Sequence, residues 1–246
     1  MTPDFLRVSV IMKENFARKT FSRLAWAAFL VFVCLVPLAA AVSGEQALYE
    51  RFVSGMVKNQ PKSFICRITG NAITESLARI PADARTGQPE VCVYFQRGRA
   101  HVIRVLNVNE FFRNMFSAYQ PYLAMTGAWI EARGSDWAAF SRDYEMKIAG
   151  GDAENIPARI SRRGEDAGSH AIFYFARKDA GIRQVQFYNG DRLAYSVANT
   201  YSAVGNYNLP QSMTITSYRE GQAYSVSSLS FSAYQINPVI RAEFFK

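Results

Sequence analysis

Residues 182 to 218 read IRQVQFYNGDRLAYSVANTYSAVGNYNLPQSMTITSY, and this stretch decides the fold. Asn189-Gly190 follows a strand-like run, and Asn-Gly is the strongest short signal for a two-residue hairpin turn. After the turn, apolar and polar residues alternate, as in Leu193, Tyr195 and Val197 with small or polar residues between them. Alternation with a period of two indicates a strand with one buried and one solvated face. The sequence therefore predicts an antiparallel meander.

The same pattern continues on both sides of this stretch. Gly150-Gly151-Asp152, Asp179-Ala180-Gly181 and Glu220-Gly221 stand where further hairpin connections are needed. Strand and turn signals alternate to give about ten strands, which suits a strongly curved sheet or a partial barrel. We therefore predict a mainly β, α+β fold: a strongly curved antiparallel sheet forming an incomplete β-barrel, with an N-terminal helix and lid helices. The predicted strands are residues 63–69, 91–95, 100–106, 140–148, 157–162, 171–177, 182–188, 192–203, 211–218 and 223–234.

Two segments have helical spacing of their apolar residues. In residues 46–59 this spacing marks one face, which predicts a short amphipathic helix. In residues 109–133 the apolar residues extend almost around the helix, and Pro121 should kink or divide it. Such a helix is either sunk in the core or a lid over an apolar cavity. Residues 71–89 are polar and contain Pro, so we expect a long loop there.

Residues 1–41 have the layout of a secretory signal peptide. Residues 24–41 are apolar, follow several Lys and Arg, and end in Ala39-Ala40-Ala41, a small-residue cleavage site. Cleavage would leave residues 42–246 as a single domain in the periplasm. The alternative is an uncleaved inner-membrane anchor, because the apolar run approaches the roughly 20 residues that span a bilayer.

Length and charge limit the class of protein. The chain has 246 residues and a formal charge of +8, and removing the first 41, with five basic and two acidic residues, lowers the charge to +5. Such mild basicity in an exported protein argues against nucleic acid as a partner. Arg97, Arg99 and Arg104 could contact anionic lipid, but such residues are more often a solvated face or the protection of an edge strand.

Two cysteines remain after removal of the signal, Cys66 and Cys92, each in the middle of a strand-like run. An oxidising compartment permits a cross-strand disulfide, and this is the pairing we expect. The alternative is two unpaired buried thiols. Nothing resembles a C-x-x-C redox motif, so the bond would be structural.

No pattern in the sequence indicates catalysis or a cofactor. The two histidines, His101 and His170, have no Cys, His or carboxylate at metal-ligand spacing, so we expect no metal site. Motifs of nucleotide-binding loops, zinc proteases and serine hydrolases are missing as well. Carboxylate pairs such as Asp143 and Glu145 are explained equally well by an exposed strand face. We therefore expect a protein that is not an enzyme and carries no cofactor.

A curved sheet with a wide apolar face and an aromatic cover could hold hydrocarbon. Acyl chains need only apolar area and shape, at roughly 25 cal/mol per Å² buried, so their sites leave almost no motif. We predict an acyl-chain cavity between the lid and the strands, although each of its residues could be ordinary core. Its predicted lining residues are Phe112, Met115, Phe116, Tyr119, Leu123, Trp129, Phe173, Phe175, Phe187 and Tyr195.

The closing strands contain a recognisable sequence motif within residues 190–238. It consists of Asn199-Thr200-Tyr201, Tyr207, Leu209-Pro210, Met213-Thr214-Ile215, Phe231 and Tyr234-Gln235-Ile236-Asn237. This motif resembles the C-terminal end of outer-membrane lipoprotein-sorting proteins of the LolA-like superfamily. In that family, a Tyr and a Leu-Pro precede a hairpin, and the last strand of the hairpin ends in an N-Y-Q-x-N-like sequence. Ala233 stands where that family usually has Asn. The resemblance implies an unclosed β-barrel lidded by helices, whose cavity receives acyl chains of lipoproteins or other lipids in the periplasm.

The leading interpretation is a periplasmic carrier that binds acyl chains of lipoproteins or lipids and moves them toward the outer membrane. Its partners would be an inner-membrane donor and an outer-membrane acceptor protein, and the carrier itself is expected to be a monomer. The alternative is an envelope sensor or interaction protein of the same fold that acts on a membrane-bound regulator. An enzyme, the third possibility, would need a carboxylate or histidine in a pocket.

Overall fold

The structure, a computed structural model, describes residues 42–58, 60–97, 99, 101–126, 137–164, 168–179 and 181–245. The predicted signal segment lies outside these residues. The strands are β1 (Ser63–Thr69), β2 (Arg85–Gln96), β3 (Val102–Val108), β4 (Tyr144–Ile148), β5 (Asn155–Arg162), β6 (Ser169–Ala176), β7 (Ile182–Asn189), β8 (Arg192–Val204), β9 (Tyr207–Arg219) and β10 (Gln222–Ile236). The helices are α1 (Gly44–Lys58), α2 (Asn71–Ala78), α3 (Gln120–Ala124) and α4 (Trp137–Asp143), with 3-10 turns at Ala82–Ala84, Glu110–Phe112, Ser117–Tyr119 and Ala242–Phe245.

All ten of these strands form one antiparallel sheet in the order β3-β2-β1-β10-β9-β8-β7-β6-β5-β4. The last strand returns to pair with the first, so that Phe64 of β1 lies opposite Ile236 of β10. The strands at the two ends of this order, β3 and β4, do not pair with each other, and the sheet is not closed into a barrel. The predicted fold class is confirmed.

One face of the sheet, which we call the inner face, is buried, and the other, the outer face, is largely solvated. On β10, Leu229 is fully buried and Phe231 is nearly so, whereas Ser228 and Ser230 beside them are exposed. Burying one such leucine contributes about 2 kcal/mol. Because alternate residues point to opposite faces, the strand register directs the apolar set inward.

Helices cover the inner face. The ring of Phe52 on α1 packs against Phe175 of β6, with ring centroids 4.7 Å apart. Ile73 on α2 and Phe140 on α4 belong to the same buried cluster. In the described part of the chain, no helix has the length and hydrophobicity that crossing a bilayer requires.

Gly70 fixes the connection between β1 and α2. Its φ is 158°, and a Cβ atom there would lie 1.9 Å from the carbonyl oxygen of Ser228 on β10. Only glycine allows the two backbones to approach so closely. The residue therefore positions α2 over the end of β10.

Three of the sequence expectations are wrong in detail. The expected loop 71–89 contains α2, a 3-10 turn and the start of β2, because Ile73 and Ile80 bury their side chains in the core and hold this segment in place. Within the described residues 109–126, the helix expected over 109–133 is instead a run of 3-10 turns ending in α3, and Pro121 divides the segment as predicted. Pro121 lies in the first turn of α3, where its missing N–H costs nothing, and it cannot lie inside a continuous helix.

The third difference is the strand expected over residues 140–148. Its first part is helix α4, and only Tyr144–Ile148 is strand. Phe140 is almost fully buried, stacking on Tyr144 with ring centroids 5.5 Å apart. A short apolar run of this kind does not distinguish helix from strand by itself, and its packing partners decide.

Candidate functional site

Aromatic side chains cluster on the inner face at strands β6 to β8. Phe173 and Phe175 on β6 and Phe187 on β7 are buried in it. Tyr195 on β8 is half-buried, and its ring stacks on Phe187 with centroids 4.3 Å apart. These four are among the residues predicted to line the acyl-chain cavity.

Residues 109–126, which we call the strap, cross this face. Hydrogen bonds between residues three apart run along the strap, for example from the Met115 N–H to the Phe112 carbonyl and from the Tyr119 N–H to the Phe116 carbonyl. The strap thus satisfies much of its own backbone and does not add a strand to the sheet.

One attachment of the strap is to β3. The side-chain Nε2 of Gln120 donates to the carbonyl oxygen of His101 at 2.8 Å, and Nε2 of His101 lies 3.0 Å from the carbonyl oxygen of Gln120. The Val105 N–H also donates to the Arg113 carbonyl at 2.9 Å. This end of the strap is therefore held at the edge of the sheet.

The other attachment is to β8. Nδ2 of Asn199 donates to the carbonyl oxygens of Met125 and Ile182, at 3.1 and 3.2 Å. The hydroxyl of Tyr201 lies 2.7 Å from the carbonyl oxygens of both Thr126 and Ile182 and shares its proton between them. Four strands lie between β3 and β8 in the sheet, so the strap spans the inner face between its two attachments.

An aromatic ladder joins the strap to the sheet between these attachments. Ring centroids are 6.2 Å apart from Phe116 to Tyr119, 6.4 Å from Tyr119 to Tyr122, and 5.9 Å from Tyr122 to Tyr195. The contact of Tyr195 with Phe187 completes the ladder. Aromatic pairs at these separations contribute about 1 kcal/mol each beyond the area they bury.

Nine of the ten predicted cavity residues meet in this one apolar cluster. Phe116, Tyr119 and Leu123 of the strap are buried, and Phe112 and Met115 are half-buried against the same cluster. Trp129 lies outside the described residues. The structure brings these side chains together as a packed interface between strap and sheet, and their contact with a ligand remains a proposal.

The phenol groups at the interface are held neutral. Burial raises the pKa of Tyr122 to about 12, with a further contribution from Tyr119. Burial also raises the pKa of Tyr119, against a hydrogen bond with Ser227 that lowers it, and raises the pKa of Tyr195 well above its usual value. These three phenols therefore carry no charge near neutral pH.

Sequence reasoning missed the β8 attachment of the strap as a functional feature. Asn199 faces inward two residues after the fully buried Val197, and it is itself only 5% exposed. A buried amide needs hydrogen-bond partners. An asparagine at an inward position of an apolar strand was therefore the signal, although its partners on the strap could not be named.

Two open clefts of about 630 and 670 Å³ lie beside the β8 attachment. Both are lined by Lys178 and Arg183, and Asn199 and Tyr201 line the first. Nη2 of Arg183 donates to the carboxylate of Asp179 at 2.7 Å, and its guanidinium lies 4.8 Å from the centroid of the Tyr201 ring. Charged side chains are part of the lining of both clefts, and the predicted acyl-chain residues do not line them.

The predicted disulfide is wrong. Both Cys66 and Cys92 are free thiols. Cys66 lies opposite Val93 and Cys92 opposite Arg67, so the two cysteines are offset by one residue in the register of β1 and β2. Successive side chains alternate between faces, and the two sulfur atoms are therefore on opposite sides of the sheet. Burial raises the pKa of Cys66 far above its usual value and that of Cys92 to about 11.

The two histidines have packing contacts. His101 belongs to the β3 attachment, and the ring of His170 stacks on Tyr188 with centroids 4.8 Å apart. Among the described residues, no group of three or more His, Cys, Asp or Glu side chains could hold a metal ion.

Comparison with known proteins gives likenesses in structure and none in sequence. No family model matches the chain, and no curated protein matches it. Similar solved structures include a LolA superfamily protein from Nitrosomonas europaea, 12% identical, with 80% of this chain and 96% of that chain covered and a TM-score of 0.44. A DUF1329 family protein from Desulfovibrio piger is 11% identical, with 82% and 97% covered and a TM-score of 0.45.

A third structure, described as an outer membrane lipoprotein-sorting protein domain from Vibrio parahaemolyticus, is 8% identical, with 82% of this chain and 95% of that chain covered and a TM-score of 0.46.

Proposed function

We propose that the protein binds acyl chains of lipids or lipoproteins between the strap and the inner face, and carries them across the periplasm toward the outer membrane. The observation that carries this proposal is the interface itself: a charge-free aromatic ladder under a segment that lies across the sheet without being part of it. The predicted donor and acceptor proteins in the two membranes belong to the same proposal.

The interface suits exchange with hydrocarbon. When an acyl chain replaces the strap on the inner face, apolar side chains exchange one apolar neighbour for another, and each Å² kept from water is worth roughly 25 cal/mol. The buried phenols add no charge that would have to be neutralised. Binding then requires only that the strap move.

Releasing these attachments costs less free energy than unfolding the sheet. The strap is held at β8 by hydrogen bonds from two side chains, Asn199 and Tyr201, to its carbonyl groups. A neutral hydrogen bond contributes about 1 kcal/mol net, whereas the carbonyls that are released can bond water. The strap can therefore leave the sheet without disturbing a strand ladder.

The test is to purify the protein from the envelope of cells that express the full chain, and to analyse it by native mass spectrometry and lipid extraction. A fluorescent fatty acid is then titrated into the delipidated protein. We expect a co-purifying lipid or acylated protein, and saturable uptake of the probe. A clean protein mass together with no uptake would contradict acyl binding, and would leave a protein-binding role on a membrane-bound regulator as the better explanation.

A further inference from the structure

Basic side chains surround one exposed apolar residue at the point where the chain leaves β10. Asn237, with a φ of 54°, turns the chain away from the strand, and Pro238-Val239 follow at the surface. The side chain of Val239 is 98% exposed. We call this part of the surface the basic corner, and its exposed cations are Lys62, Arg97, Arg99 and Arg241.

Hydrogen bonds join three segments into this one surface. The Arg97 N–H donates to the Lys62 carbonyl at 2.8 Å, and the Lys62 N–H donates to Oδ1 of Asn237 at 2.9 Å. The hydroxyl of Ser63 donates to the Pro238 carbonyl at 2.8 Å. The cations before β1, between β2 and β3, and after β10 therefore lie around the same corner.

The C-terminal segment is fastened to the outer face beside the corner. The ring of Phe244 stacks on Tyr94 with centroids 4.6 Å apart, and the guanidinium of Arg99 lies 5.4 Å from the Phe245 ring centroid. The position of Val239 is thus fixed at both ends of its segment, by Asn237 on one side and by these aromatic contacts on the other.

The charge around the corner is strongly unbalanced. Residues 60–63, 96–101 and 237–245 contain four Lys and Arg and a single acid, Glu243. Glu243 pairs with Arg241 at 3.0 Å, both side chains being more than half exposed. Four cations against this one acid leave the corner with a net charge of +3 (4 − 1), so it has a positive potential.

We propose that the basic corner docks the protein on an anionic phospholipid surface, with Val239 entering the lipid interface. Long basic side chains can reach lipid phosphates while an aliphatic side chain between them enters the apolar boundary. Each Lys or Arg near such a surface contributes about 1 kcal/mol. A protein partner with an acidic surface would also match the charge, but it would need a pocket shaped for the single side chain of Val239, which a fluid lipid interface does not require.

The corner lies next to the strap. His101, two residues after Arg99, is the β3 contact of Gln120. Docking would therefore bring one attachment of the strap to the lipid surface. The proposal goes beyond acyl-chain carriage and does not require it, because surface binding depends only on the corner.

The test uses the protein recovered from cells that express the full chain, mixed with vesicles of phosphatidylcholine alone or of an equimolar mixture with phosphatidylglycerol, and separated by sedimentation. We expect binding to the mixed vesicles that high salt abolishes, since screening weakens exposed charges. The double variant K62E/R241E should bind at least about tenfold more weakly, because two cations are lost and two acids are added. Val239→Ser should weaken binding at unchanged net charge.

The matched control is R192E/R219E, which makes the same change in net charge. Arg192 and Arg219 are exposed and lie at the end of β8 and β9 that is farther from the basic corner. It should bind nearly as well as the unmodified protein. Equal losses in the two double variants, or no binding to the anionic vesicles at low salt, would overturn the proposal. Uptake of a fatty-acid probe in solution should be the same in K62E/R241E as in the unmodified protein, so failure of docking and failure of acyl binding are separately visible.

Discussion

The ring of Tyr122 on the strap meets the ring of Tyr195 on β8 edge to face, with centroids 5.9 Å apart. Tyr195 in turn stacks on Phe187, so this contact joins the strap to two strands. Burial keeps both phenols neutral. The strap therefore rests on the sheet through uncharged aromatic surface, and the first three predictions concern how firmly it rests there.

Phe116→Ser should weaken binding of an acyl probe by about tenfold, because a polar group replaces a buried ring of the strap. The far-UV circular dichroism of the sheet should remain. Phe140→Ser is the control, since Phe140 is equally buried but packs on α1 and α4. It should lower stability while leaving probe affinity unchanged. Unfolding of the Phe116 variant would instead indicate that the strap is ordinary core.

Tyr201→Phe should loosen the β8 attachment of the strap. The loss of one neutral hydrogen bond should lower the free energy of unfolding by about 1 kcal/mol and accelerate hydrogen exchange in residues 120–126. Tyr174→Phe removes a comparable bond, to Gln186 at 3.0 Å, far from the strap. Equal exchange in both variants would contradict an attachment role for Tyr201.

Stability should fall as the pH rises above about 10, in part through Tyr122. Its pKa is near 10 when exposed and is raised to about 12 in the fold. The folded state therefore holds the proton more tightly, so its advantage is complete below pH 10 and is lost as pH rises toward 12, at about 1.4 kcal/mol per unit of pKa. Urea unfolding at pH 8 and pH 10.5 should show a smaller loss in Tyr122→Phe than in the unmodified protein.

Gly70→Ala should destabilise the protein by at least about 2 kcal/mol, because the new Cβ would collide with the carbonyl oxygen of Ser228. Gly190→Ala provides the comparison. Gly190 has a φ of 62° with nothing within 4 Å of an added Cβ, so only backbone strain of about 1 kcal/mol is expected. Denaturant unfolding of the two variants measures the difference, and equal losses would show that the close approach is relieved by a shift of the backbone.

Cys66 and Cys92 should both resist a thiol reagent at pH 8 in the folded protein and both react after unfolding, with no reductant added. Burial and a raised pKa leave little thiolate at either site. A thiol count that rises only after reduction would reveal a disulfide, contrary to the positions of these residues on opposite faces of the sheet.

The sheet was predictable because local signals and tertiary packing agree along most strands. The prediction for β1, residues 63–69, matches the structure, and the turn at Asn189-Gly190 lies where expected. Periodicity also placed nine of the ten predicted cavity residues in one cluster. It could not tell whether that cluster holds a ligand, because a packed core and a closed cavity require the same apolar side chains.

The failures occur where partners distant in sequence decide the outcome. Helix α2 forms in a polar stretch because Ile73 and Ile80 find places in the core. The cysteine pairing failed because two strand-centred cysteines can be offset by a single residue, which reverses the face of one of them. The boundaries of the signal peptide, residues 1–41, and of the single domain, residues 42–246, remain predictions.

The pairing of β1 with β10 also affects how the chain folds. Phe64 and Ile236 come together only after nearly all of the chain between them is available, and contacts between such distant residues slow folding. Without β10, the edge of β1 that pairs with it would be open, and an open edge is prone to associate with other chains. A chain that ends before residue 222 would keep that edge open, so the final strand completes folding and also protects the nascent protein from aggregation.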